Sequence, residues 1–142
     1  MAKIDWKQLI QIDSSWVSKQ LQPQFNDVNG KLSIKLYSVK ASGTSIEIDG
    51  LANELHLMLP HYVYSKKQIQ EMSPMVAGLK ANHFFGKKDP QSDGKYGELL
   101  LFALVESVLG CKMVAHKLNV LGNFNDQVKG GDGIFMGCKS SA

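Results

Sequence analysis

Two acidic residues in this 142-residue chain stand where a carboxylate could do chemistry. Glu98 opens the run Gly97-Glu98-Leu99-Leu100-Leu101-Phe102-Ala103-Leu104-Val105-Glu106-Ser107-Val108-Leu109-Gly110, whose apolar residues point in nearly every direction of a helix. A carboxylate buried there is costly unless it is paired, hydrogen-bonded or bound to a cation. Asp132 sits in Gly130-Gly131-Asp132-Gly133, just ahead of Ile134-Phe135-Met136. Glycines remove side-chain bulk, so a ligand or metal can approach the backbone and the carboxylate closely. Each residue also has a plain explanation. A glutamate in a first helical turn complements the macrodipole, and Gly-Gly-Asp-Gly is ordinary hairpin vocabulary.

The remaining polar candidates carry less. Lys117 and Lys129 are mobile point charges able to contact phosphate, although surface lysines do the same for solubility. Asp126 after Asn125 reads as a turn cap, and Lys87-Lys88 as a solvated loop tip. His56, His61, His83 and His116 show no spacing that suggests a ligand set or a Ser-His-Asp arrangement. Trp6 and Trp16 read as core or interface anchors rather than base-stacking platforms.

Hydrophobic periodicity supplies the elements that must position these groups. Ile4 to Leu21 has mostly helical spacing with a fresh cap available at Asp13-Ser14-Ser15, which predicts one or two short helices. Phe25 to Gly30 carries turn chemistry. Lys31 to Val39 alternates with period two, the pattern of a strand with one buried face. Ile46 to Tyr64 suits a helix running into a strand near Pro60. Ser65 and Gln68 form a capping-box pair for a helix from Lys66 to Leu79, and Asn82 to Lys95 reads as a loop. The run from Glu98 to Leu109 predicts a buried helix capped by Gly110. Lys112 to Val120 and the segment from Gly133 read as strands separated by a turn near Gly122. The expected fold is a single α/β domain over residues 1–142, with Lys31–Val39, Lys112–Val120 and the strand after Gly133 sharing a central sheet against which the helix lies.

Composition sets outer bounds. With 44% hydrophobic and 20% charged residues the chain has ordinary globular character. Its two cysteines are too few for a disulfide framework and show no zinc spacing. A formal net charge of +3 permits nucleic-acid binding without requiring it. No signal-peptide run and no apolar stretch near the ~20 residues of a membrane span is present, so a cytoplasmic protein is expected.

Three blocks of sequence add more. Tyr96-Gly97-Glu98-Leu99-Leu100, then His116-Lys117-Leu118, then Asn125-Asp126-Gln127-Val128-Lys129-Gly130-Gly131-Asp132-Gly133 resemble the HamA family, the nuclease effectors of the Hachiman anti-phage system. The close match covers about residues 96–136 and keeps the order and spacing of the family blocks. The resemblance implies a restriction-endonuclease-like PD-(D/E)XK core with a mixed sheet flanked by helices. It also implies Mg²⁺ or Mn²⁺ held by Glu98 and Asp132, a catalytic part for Lys129, phosphate contacts from Lys117 and Lys129, DNA as substrate and a helicase partner. A divalent ion in such a site activates water and offsets charge on the scissile phosphate. The family pattern continues with a strand carrying an acidic residue, one intervening residue and a lysine. Gly137-Cys138-Lys139 has glycine at the acidic position, so Lys139 reads as a tail lysine. On this basis the chain is expected to be a truncated member, slow or inactive alone, with an unpaired sheet edge that invites dimerisation. The alternative is a catalytically silent binding or regulatory module occupying the same helicase partner.

Overall fold

The computed structural model describes residues 5–86, 94–115 and 133–137. Lys117, Lys129, Asp132 and Lys139, the turn expected near Gly122 and residues 116–120 of the expected strand lie outside them.

The N-terminal stretch forms a 3-10 turn, Trp6–Leu9, and a short helix α1, Ser15–Gln20. They are separate because Asp13 intervenes: its carboxylate accepts the Ser15 backbone N–H at 2.7 Å, satisfying a donor that the helix start leaves free. Strand β1, Leu21–Asn29, follows at once and pairs antiparallel with β2, Leu32–Val39. The turn chemistry of Phe25 to Gly30 is therefore absorbed into β1, and the chain reverses only at Gly30-Lys31.

The alternation of β2 does not bury the face expected of it. Leu36 and Tyr37 are adjacent apolar residues, so the pattern changes phase between them. Tyr37 and Val39 pack against the core, while Leu32, Ile34 and Leu36 point the other way and stay exposed, beside exposed Phe25 on β1.

Two short strands, β3 (Ala41–Ser42) and β4 (Ser45–Ile46), lead into helix α2, Ile48–Val63. Pro60 lies inside the last turn of α2, so no strand begins there. A proline that close to a helix end removes one bond and leaves the final turn intact, and the Tyr64 N–H still reaches the Pro60 carbonyl at 2.8 Å. The Ser65–Gln68 capping box forms as expected and starts α3, Lys66–Met72. The helix expected to continue to Leu79 breaks at Ser73, whose φ of 68° leaves helical space and hands the chain to Pro74 at the start of α4, Pro74–Phe85. Helix thus occupies Asn82 to Phe85, where a loop was expected.

Helix α5, Lys95–Leu109, ends at Gly110 with φ 63°, a left-handed turn that glycine makes without strain. Gly110 and Cys111 then lead straight into β5, Lys112–Ala115, which pairs antiparallel with β6, Ile134–Met136. Leu99, Phe102, Ala103 and Glu106 form one buried stripe of α5, at the spacing of a single helical face. Tyr96, Leu101 and Leu109 are exposed, so the helix is not buried all round.

The whole is a mixed α/β fold with small antiparallel sheets. Helices α2, α4 and α5 enclose a core of Leu51, Leu55, Met58, Leu59, Tyr62, Phe85, Leu99 and Phe102, sealed by Trp16 and Leu21 on one side and Met113 on another. The expected central sheet is corrected: among the described residues the strands pair as three separate two-stranded sheets, and β2 joins β1 rather than β5 or β6. The cause is local. A two-residue reversal pairs β2 with its own predecessor before any distant strand can compete.

Candidate functional site

Glu98 lies in the first turn of α5, following a left-handed Gly94 and a Glu98 N–H bond to the Gly94 carbonyl of 3.1 Å. It is half-buried rather than buried. The Tyr62 hydroxyl of α2 donates to its Oε2 at 3.3 Å. Tyr62 is itself clamped by Phe102, with ring centroids 5.3 Å apart, and by Phe85, edge-on at 6.2 Å. Two aromatic neighbours thereby hold the phenol that meets the carboxylate, which lies at the positive end of the helix.

Beside this group is a cleft of about 260 Å³ between α2, α4 and the start of α5. Leu55, Leu59, Phe85, Tyr96 and Leu99 line it, with His56 and Asn82 at its polar margin. It is an apolar space next to Glu98, not a set of convergent ligands.

The fully buried carboxylate of α5 is Glu106, at 1% exposure. Its Oε1 accepts from Lys112 Nζ at 2.7 Å and from the Met113 N–H at 3.2 Å, and its Oε2 from the Gln11 N–H at 3.1 Å. Glu106 is thus paired and satisfied, the condition for keeping a charge inside a protein. His61 stands nearby, with Nδ1 3.3 Å from Gln11 Oε1, a contact that is a hydrogen bond when that nitrogen carries the proton. Burial pulls the His61 imidazole below its ordinary value of 6.5, against the raising influence of Glu106.

Sequence reasoning identified Glu98 as the carboxylate beside the core and passed over Glu106. The signal was present: Glu106 is seven residues beyond Leu99 and four beyond Phe102, on the inward stripe, whereas Glu98 is one residue off it. Of the site residues expected from the sequence, Glu98 alone lies among the described residues. Among the described residues no group of three or more His, Cys, Asp or Glu side chains is placed to hold a metal, and no helix is long and apolar enough to cross a membrane.

Met113 lies beside Glu106, one turn back from the end of α5, so β5 folds back against the last turn of the helix. Its partner β6 starts, at Ile134, opposite Ala115 on the far end of β5.

A helix bearing a glutamate, returning as a strand that pairs with the strand after Gly133, is the setting in which comparison with known proteins is informative. The model of the HamA family matches residues 11–142, nearly the whole chain. The chain therefore belongs to the HamA family, and membership points to a component of the Hachiman defence system. No curated protein and no solved structure matches it.

Proposed function

We propose that the chain is the metal-dependent DNA nuclease domain of a Hachiman effector. The observation that carries the reading is the position of Glu98: a half-buried carboxylate at a helix start, held by Tyr62, on a helix that leads directly into the antiparallel β5–β6 pair. Asp132 immediately precedes the Gly133 that leads into β6. In this reading α5, β5 and β6 are the working part of a restriction-endonuclease-like core, and the β1–β2 hairpin lies outside it.

The donor chemistry fits the ion. Glu98 and Asp132 are hard oxygen ligands of the kind Mg²⁺ and Mn²⁺ take, and Mg²⁺ completes its shell with water and substrate phosphate. When bound, the ion supplies Lewis acidity and a lowered water pKa. The chain's own part is to hold the two carboxylates, to place Lys117 and Lys129 as phosphate contacts, with Lys129 also offsetting charge during the reaction, and to keep Glu98 oriented through the Tyr62 hydroxyl. A helicase subunit would deliver DNA, and a second copy could pair along an open sheet edge.

The second reading, a catalytically silent module occupying the same helicase, is favoured by Gly137. A Cβ at that position would lie 2.6 Å from the Cys111 sulfur, so a larger side chain there requires the Cys111 side chain to move. Plasmid cleavage with Mg²⁺, with and without the helicase, separates the two. The nuclease reading expects nicking that Asp132→Asn and Glu98→Gln each abolish. Helicase binding with no cleavage under either condition selects the silent module.

A further inference from the structure

We infer that Glu106 is a positioning residue, which sets where the β5–β6 pair lies along α5 and thereby its distance from Glu98. As a contribution to a metal site the inference rests on the nuclease reading above. Three segments converge on this one carboxylate: the Gln11 backbone ahead of α1, the helix that carries it, and β5 through both the Met113 N–H and the Lys112 ammonium. Met113 is held at 3.2 Å and Lys112 at 2.7 Å by the same oxygen, Oε1, so the strand is fixed in register and not merely attracted. The bonds are directional and shielded: the Glu106 side chain has no exposure and that of Lys112 only 13%. The other tether is the connection itself: Gly110 and Cys111 join helix to strand in two residues, with the Cys111 N–H on the Val105 carbonyl at 3.3 Å, and β5 beyond it is only four residues long. Apolar packing of Met113 and Phe135 would hold the strand near the helix in several registers, since hydrophobic contact is non-directional. Glu106 selects one.

The test must part positioning from simple stability. Glu106→Gln alone leaves Lys112 without its anion and turns an amide N–H toward the Gln11 N–H, so it is joined by the double variant Glu106→Gln with Lys112→Met. Removing both charges of a buried pair is often nearly neutral for stability, so the double variant should fold. Its helix content and thermal midpoint are checked first. Pulsed electron spin resonance then measures the distance between labels at exposed Leu101 and Ile134, in a chain whose Cys111 and Cys138 are replaced by alanine. Mn²⁺ affinity is measured in parallel. The inference expects the distance distribution to broaden or to shift by about 3.3 Å, one strand residue, and Mn²⁺ affinity to fall about 10-fold or more, the usual effect of losing an outer-shell support. An unchanged distribution in the folded double variant overturns it. A shifted distribution with unchanged Mn²⁺ affinity upholds the positioning of the strands and counts against the metal site instead. Should the double variant not fold, Lys112→Met alone serves, with faster hydrogen exchange confined to the β5 amides expected and unchanged exchange overturning the inference.

Discussion

At the scale of single residues the chain separates two carboxylates on one helix by what they touch. Glu106 is enclosed by donors from two segments, the Gln11 backbone and β5, and Glu98 is half-buried at the helix start, where it meets the Tyr62 hydroxyl. Glu106→Ala would strand a mostly buried Lys112 ammonium and two backbone N–H groups. Loss of one member of such a pair costs about 3 to 5 kcal/mol, which should appear as a large drop in the urea midpoint. His61 gives the fold a pH dependence of known sign. Its folded value lies below 6.5, so between that value and 6.5 the unfolded chain binds more protons than the folded one. This contribution is complete above 6.5 and is lost as pH falls through the window. Urea midpoints at about pH 8 and about pH 5.5 should differ more for the parent chain than for His61→Gln. Equal differences would show that another group governs the acid limb.

At the scale of elements, the connection between α5 and β5 matters most. Gly110 at φ 63° turns the chain back on itself. Gly110→Ala should cost about 1 to 2 kcal/mol, because an L-residue carries that penalty in left-handed space; a thermal midpoint unchanged by the substitution would contradict it. The elements legible in the sequence were those with both a period and a terminator. The helix ending at Gly110, the Ser65–Gln68 cap and the Asp13 break near α1 all have a residue that satisfies an orphan backbone group. The elements misjudged were those decided by competition at longer range. Pro60 looked like a boundary, yet it falls where α2 is ending anyway. Leu32, Ile34 and Leu36 announced a buried face, but which face of a strand meets the core depends on how Leu21, Val39 and Tyr37 dock, and no period reveals that. Glu106 was missed for a related reason: a buried acid becomes intelligible only when Lys112 and Gln11 are seen to arrive beside it.

At the scale of the molecule, the core of α2, α4 and α5 carries the fold while the β1–β2 hairpin projects from it with an uncovered apolar face. Leu36 is 56% exposed, so Leu36→Thr should move stability by no more than about 0.5 kcal/mol; a larger loss on denaturation would mean that this face is covered in the folded chain. The family match covers nearly the whole chain and points to the Hachiman defence system, while the proposed chemistry rests on Glu98 and Asp132 sharing one ion. Calorimetric titration with Mn²⁺ addresses that claim most directly. The account predicts a single site on the parent chain, weakened about 10-fold or more by either Glu98→Gln or Asp132→Asn, with the double variant little worse than each single one, as expected of two groups acting on the same ion. Binding that ignores both substitutions, or no binding at all by a folded chain, would contradict it.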